Sequence, residues 1–225
     1  MAKKAVIYDN DGLLTDSEIV YGITLTQVID ELCGIKESVE RISLLTAGRS
    51  IETAFEVIKD TFNVNFDNKE ALELWDNLAN AYFEEKLKLC EGVQELLDSV
   101  SIKHAVASTS ARWKLAIKHK ATGLDKYFLQ NQIFSGEEVA NHKPAPDVYL
   151  AAASGINEKP EDCIAVEDSA SGVKAGKAAG IYTVGCLGGS HIFNKQEHRQ
   201  KLIDAGADIV INDMRELKQV IEELM

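Results

Sequence analysis

Two aspartates, Asp9 and Asp11, stand two residues apart at the end of the apolar run Ala5 to Tyr8, in the stretch AVIYDNDGLLTDSE. Such a run reads as a buried strand emptying into a tight loop. In extended chain the side chains at i and i+2 share a face, so both carboxylates project together from the strand end. Two anions held that close need a shared proton, a bound divalent cation, or separate hydrogen-bond partners that give each a different role. A solvated acidic turn is the plainer alternative, with Asp and Gly present for turn geometry. A calcium loop of the EF-hand type fails, because its twelfth position needs Glu and here holds Val20.

The same pattern of apolar run and polar end recurs downstream. Ala105 to Ala107 stops at Ser108, Thr109 and Ser110, and Cys163 to Val166 ends in Glu167 and Asp168, with Lys143 in a loop before Pro144. Taken together these residues are complete for phosphoryl transfer. Acidic groups at two strand ends can hold Mg2+ through hard oxygen ligands, while Lys and Ser satisfy oxygens of a bound phosphate. One carboxylate is left to attack and form an aspartyl-phosphate, and another to protonate the leaving oxygen and then activate water. Taken singly, Lys143 reads as a solvated loop residue and Ser108 as a turn or cap residue.

The elements that must position these residues alternate. Strands at 5–8, 105–107, 132–134, 163–166, 181–184 and 209–211 alternate with helical patterns, though none is read between the last two. The alternation implies an α/β fold with a parallel, Rossmann-like sheet covered on both faces and ligands beyond the strand C-termini. Residues 16–87 break the alternation and read as all helix. Asp16 or Ser17 is available to cap the first helix, Gly34 to stop it and Ser50 to cap a helix from Ile51. The spacing of Leu72, Trp75, Leu78, Ala79, Tyr82, Phe83 and Leu87 marks an amphipathic helix. We therefore expect a core of residues 1–15 and 88–225 carrying a helical insert, 16–87, hinged near Thr15 to Ser17 and Glu84 to Leu89. Gly172, Gly176 and Gly180 do not follow a strand in GxGxxG spacing, so a dinucleotide fingerprint is absent and helix packing and a helix stop account for them. Trp75 and Trp113 read as packing residues.

Composition bounds the partners. The 225 residues carry a net charge of -12, with 45% hydrophobic and 27% charged residues, ordinary globular usage. That acidity disfavours nucleic acid and anionic membranes, and an anionic substrate needs a locally positive pocket. Cys33, Cys90, Cys163 and Cys186 lie far apart without zinc-ligand spacing, as core thiols would, and the five histidines show none either. No signal-peptide run or membrane span is visible, so the expected setting is cytoplasmic.

DNDGLLTDSE, VAST, HKPAPD and VEDSASGVKAGKAAG resemble the four ordered motifs of the haloacid dehalogenase superfamily, and in particular the members with a helical cap inserted after the first motif, the group containing beta-phosphoglucomutase and many sugar-phosphate phosphatases. The resemblance implies that Asp9 is the phosphoryl-accepting nucleophile, Asp11 the general acid and base, Ser108 a phosphate ligand and Lys143 the neutralising cation. It implies that Asp168 binds Mg2+ with Asp9 and the backbone carbonyl of Asp11, assisted by Glu167. Thr109 falls in the same motif as Ser108. Leu13 and Glu91 depart from common family residues outside these roles. Arg49, in the loop TAGRS of the insert, and Arg112, just after Ser110, are candidate substrate ligands, since Arg grips phosphate or carboxylate bidentately. A surface position is the competing reading for both. The resulting expectation is a Mg2+-dependent phosphatase of a small phosphorylated metabolite, a sugar or sugar-acid phosphate, working through a phosphoaspartate on Asp9. A phosphomutase shares the same groups. A dehalogenase needs neither Mg2+ nor Asp11, and a phosphorylatable receiver-type signalling module is the non-enzyme alternative, opposed by the insert and by a phosphoacceptor on the first strand.

Overall fold

Alternation along β1 (Ala5–Tyr8) sends Val6 and Tyr8 into one apolar cluster and Ala5 and Ile7 into another, and all four are buried. A strand buried on both faces belongs in a sheet interior. In a computed structural model, which describes residues 2–46 and 49–225, β1 lies between β2 (Lys103–Ser108) and β4 (Cys163–Glu167). With β3 (Ile133–Ser135), β5 (Tyr182–Cys186) and β6 (Ile209–Ile211) they form a six-stranded parallel sheet of order β3-β2-β1-β4-β5-β6.

Side-chain size sets what covers each face. Ala5, Ala105, Ala107 and Ala165 make one face shallow, and Ala152, Ala153 and Ala175 of α7 (Asp147–Gly155) and α8 (Ala170–Ala178) pack into it. The opposite face carries Tyr8, Val106, Ile164, Val166 and Val184. It meets leucines and valines of α5 (Val93–Ser99), α6 (Arg112–Thr122) and α10 (Leu217–Leu224). The strand order reverses between β1 and β4, and parallel sheets bind ligands in the crevice beyond the strand C-termini at that switch. Asp9 and Asp168 are the residues that follow β1 and β4.

The chain divides into two compact units, Met1–Asp16 with Lys88–Met225, and Ser17–Leu87. The second unit is made of α1 (Glu18–Cys33), α2 (Val39–Thr46), α3 (Ile51–Phe62) and α4 (Asn68–Glu85). Gly34 closes α1 at φ 68°, and the Ser50 side chain accepts from the Thr53 N–H at the start of α3. Tyr21 stacks on Trp75 at 5.4 Å between centroids, giving this unit an aromatic centre. In the first unit the two chain segments that lead to the junctions run side by side: Asp16 N–H donates to Lys88 O and Cys90 N–H to Leu14 O.

Three expectations about local structure are corrected. Asp16 does not cap α1; its carboxylate accepts from Ser190 N (3.0 Å) and Ser190 Oγ (2.6 Å). Trp113 is 51% exposed rather than packed. A helix, α9 (Lys195–Asp204), stands where sequence periodicity showed none, because Leu202 is its one buried residue. All four cysteines are free thiols, and no described helix is long and apolar enough to cross a membrane.

Candidate active site

The loop after β1 is tightly folded. Gly12 takes φ 82°, its N–H donates to Thr15 O, and the N–H groups of Leu14 and Thr15 both return to Asn10 O. Glycine is suited to that left-handed conformation. Asn10 is fully buried inside the turn; its side-chain Nδ2 donates to Thr15 Oγ1 at 3.2 Å, and its side-chain Oδ1 lies 2.9 Å from His119 Nε2. Between them these bonds fix the backbone that carries Asp9 and Asp11.

Asp9, Lys143, Glu167 and Asp168 come together beyond β1 and β4. The Lys143 ammonium donates to Asp9 Oδ1 (2.6 Å), Glu167 Oε1 (2.6 Å) and Ala107 O (2.9 Å). Tyr149, from α7, donates its hydroxyl to Glu167 Oε1 at 2.8 Å, and its ring lies 4.9 Å from the Lys143 nitrogen. Ser169 bonds the other Glu167 oxygen while also capping α8. The α8 backbone passes so close that a Cβ on Gly172 would sit 1.8 Å from Glu167 Oε1. Gly172 is therefore required by the carboxylate itself, whereas Gly176 leaves space for Thr183.

Electrostatics set these groups apart from ordinary surface charges. Burial, followed by repulsion from Glu167, Asp168 and Asp11 against the attraction of Lys143, holds the Asp9 carboxyl well above its usual range. Burial and Glu167 do the same to Asp168. Burial opposes the charge on Lys143, but Asp9 and Glu167 outweigh it and its pKa is raised. Asp9, Glu167 and Asp168 each offer a carboxylate oxygen within 4.8 Å of the others. Three buried carboxylates are thus faced by the Lys143 ammonium and, 3.2 Å from Asp168 Oδ2, the His191 imidazole. Hard oxygen donors short of positive charge suit a divalent cation such as Mg2+.

Asp11 lies outside that trio. Its Oδ2 accepts from Ser108 Oγ (3.2 Å) and Ser110 Oγ (2.7 Å), and its Oδ1 accepts from the ammonium of Lys118, a side chain with no exposed surface. Ser108 therefore sits at the site with its hydroxyl turned to Asp11, and Thr109 lies exposed in the adjacent turn. Arg112 donates to Glu138, Ile133 O and Gln130 O, which tie it to the end of β3. Arg49 is exposed in the helical unit, with Nε 3.3 Å from Leu45 O; Ala47 and Gly48 of the same loop lie outside the described residues.

Sequence reasoning missed Lys118, Ser110, Tyr149 and His119. Lys118 falls among Lys114 and Lys120, where a charged helix residue reads as solvated. Its three-residue spacing from the core residue Leu115 was the available signal.

The family model described as haloacid dehalogenase-like hydrolase matches residues 6–186. Among curated proteins, the chain is 30% identical to a phosphorylated carbohydrates phosphatase of Thermotoga maritima, over 99% of this chain and 100% of that one. It is 27% identical to a beta-phosphoglucomutase of Bacillus subtilis, over 95% of this chain and 91% of that one. A crystal structure of a HAD family hydrolase from Deinococcus radiodurans, with bound phosphate and sodium, superposes with a TM-score of 0.87 at 26% identity, covering 99% of this chain and 96% of that one.

Proposed function

The chain belongs to the haloacid dehalogenase-like hydrolases, and from that premise we propose that it is a Mg2+-dependent phosphatase of a small phosphorylated carbohydrate, a sugar or sugar-acid phosphate. The observation that carries this reading is the Lys143 ammonium bridging Asp9 and Glu167 beside Asp168, buried at the strand-order switch. Its similarity over full length to a phosphorylated carbohydrates phosphatase supports the choice of substrate class.

Asp9, Glu167 and Asp168 would hold the metal ion, with the Asp11 carbonyl completing the protein ligands, and the bound ion would supply positive charge against the repulsion between carboxylate and phosphate. The rest is the chain's own work. Lys143 neutralises Asp9 and the incoming phosphate, and the Ser108 hydroxyl turns to a phosphate oxygen. An Asp9 oxygen bonds phosphorus as the bond from phosphorus to the sugar oxygen breaks, and Asp11 gives its proton to that departing oxygen. Asp11 then takes a proton from water as the water oxygen bonds phosphorus and the bond to Asp9 breaks, releasing inorganic phosphate. Arg49 of the helical unit is a substrate ligand, and Thr109 lines the phosphate end. Arg112, held by Glu138, serves the fold. The protein acts in the cytoplasm.

A phosphomutase is the second reading, favoured by the similarity to beta-phosphoglucomutase. It uses the same groups but returns the phosphoryl group to the sugar. A panel of phosphorylated sugars and sugar acids with Mg2+, followed for both inorganic phosphate and isomerised product, separates the two. Phosphate release over many turnovers is the expected result; isomer without phosphate selects the mutase, and a single stoichiometric phosphorylation selects a receiver-like switch.

A further inference from the structure

The face that α6 turns to the sheet is built on Leu115, and three and four residues on it carries Lys118 and His119, both buried. An ammonium at a core-facing position is costly unless it meets a charge and its remaining protons are bonded. Lys118 meets that demand beyond β1 and β2: it binds Asp11 Oδ1, in the loop after β1, and lies 3.4 Å from Ser110 Oγ, in the turn after β2. Ser110 in turn donates to Asp11 Oδ2, together with Ser108. Both oxygens of Asp11 are therefore engaged by side-chain donors, and the carboxylate has a defined orientation. The neighbouring His119 bonds Asn10, so two adjacent residues of one helix hold two adjacent residues of the loop.

The donors are not equivalent. Ser108 is the one required by phosphate in the proposed reaction, and once its hydroxyl turns away Lys118 and Ser110 still hold the carboxylate. We infer that Lys118 is a positioning residue of this site, one that fixes the Asp11 carboxylate for proton transfer without itself touching the substrate. The inference rests on the function proposed above. As Asp9 bonds phosphorus and the ester bond breaks, the proton on Asp11 must travel to the departing oxygen. A carboxylate misplaced by an ångström serves an alcohol leaving group poorly. A nitrophenolate leaving group departs without needing that proton, so phosphoryl transfer from p-nitrophenyl phosphate to Asp9 is insensitive to where Asp11 points.

The test replaces Lys118 by Met and by Gln in the full chain and measures kcat/KM with Mg2+ for the best substrate of the sugar-phosphate panel, whose leaving group is an alcohol, and for p-nitrophenyl phosphate. The ratio of the two values does not depend on the fraction of protein that is folded. Lys118→Met should lower the ratio about 10- to 100-fold, because a misplaced acid forfeits part of the roughly 100- to 10,000-fold that general acid catalysis supplies. Lys118→Gln, which keeps a donor, should recover part of it. In an Asp11→Asn background the same Lys118→Met change should leave the ratio where Asp11→Asn alone puts it. An active wild type whose ratio is unchanged in Lys118→Met, or a ratio that falls as far again in the Asp11→Asn background, overturns the role of Lys118 alone. A wild type inert toward both esters overturns the proposed function and this role with it.

Discussion

Acidification should weaken the core through His119 before it protonates most surface carboxylates. His119 is 2% exposed, its Nε2 lies 2.9 Å from the Asn10 side-chain oxygen Oδ1, and among the described residues its buried Nδ1 has no hydrogen-bond partner. An amide oxygen only accepts, so Nε2 carries a proton, and Nδ1, with no acceptor beside it, stays bare in a neutral imidazole. Charging it means placing a proton on Nδ1 where nothing receives it. Burial accordingly pushes the pKa from 6.5 down to about 4, outweighing the pull of Asp11 and Asp125, while the Lys118 charge acts in the same direction as burial. Between pH 6.5 and 4 the unfolded chain binds the His119 proton and the folded chain does not. Stability is therefore complete above pH 6.5 and declines as pH falls through that interval. At roughly 1.4 kcal/mol per pH unit, the interval corresponds to about 3 kcal/mol, most of which is lost by pH 4.5. That is a large share of the 5–15 kcal/mol that holds a typical domain together. Urea unfolding at pH 7 and pH 4.5 should be compared in wild type and in His119→Gln, whose amide can donate to Asn10 but does not titrate. Other acid-sensitive groups, such as Asp9, Asp168 and His198, are common to both proteins and cancel. Wild type should lose about 2–3 kcal/mol more than the variant over this range. Equal losses would refute the assignment of a neutral, buried His119.

Two further substitutions separate fold from chemistry. Gly172→Ala should drive the Glu167 carboxylate from its place between Lys143, Tyr149 and Ser169, since the added carbon falls 1.8 Å from Oε1; we expect at least about a 10-fold loss of kcat/KM and a weaker Mg2+ dependence, measured by titrating the metal against rate. Arg112→Ala should leave KM within about 2-fold but cost about 1 kcal/mol in urea unfolding, because it removes part-exposed charge-assisted bonds to Glu138 and a bond to Ile133 O. A large rise in KM with unchanged stability would move Arg112 from the fold to the substrate.

How much of this was legible depended on whether the signal was local. β1, β2 and β4 announce themselves as apolar runs ending in Asp9, Ser108 and Glu167, because an interior parallel strand is apolar on both faces and its polar neighbours begin where the sheet stops. Capping by Ser50 and closure by Gly34 are local as well, set by residues within one helical turn. Asp16 misled because Ser190 is remote in sequence, and a carboxylate before a helix has the look of a cap wherever its partner lies. α9 has no apolar stripe to read, and Trp113 follows helical spacing on a side of α6 that faces solvent. The buried Lys118 was hardest to see: among lysines, only the face on which it lies distinguishes it from a solvated side chain.

The central claim, that Asp9 carries the phosphoryl group during turnover, can be tested by chemical capture. The enzyme is quenched during steady-state hydrolysis of its best phosphorylated sugar, an aspartyl-phosphate is reduced with borohydride, and the peptide spanning residues 5–18 is sequenced by mass spectrometry. The account predicts homoserine at position 9, absent without substrate and absent in Asp9→Asn, which should also lose at least about 1,000-fold in turnover. Label at another residue, or Asp9→Asn turning over near the wild-type rate, would contradict it.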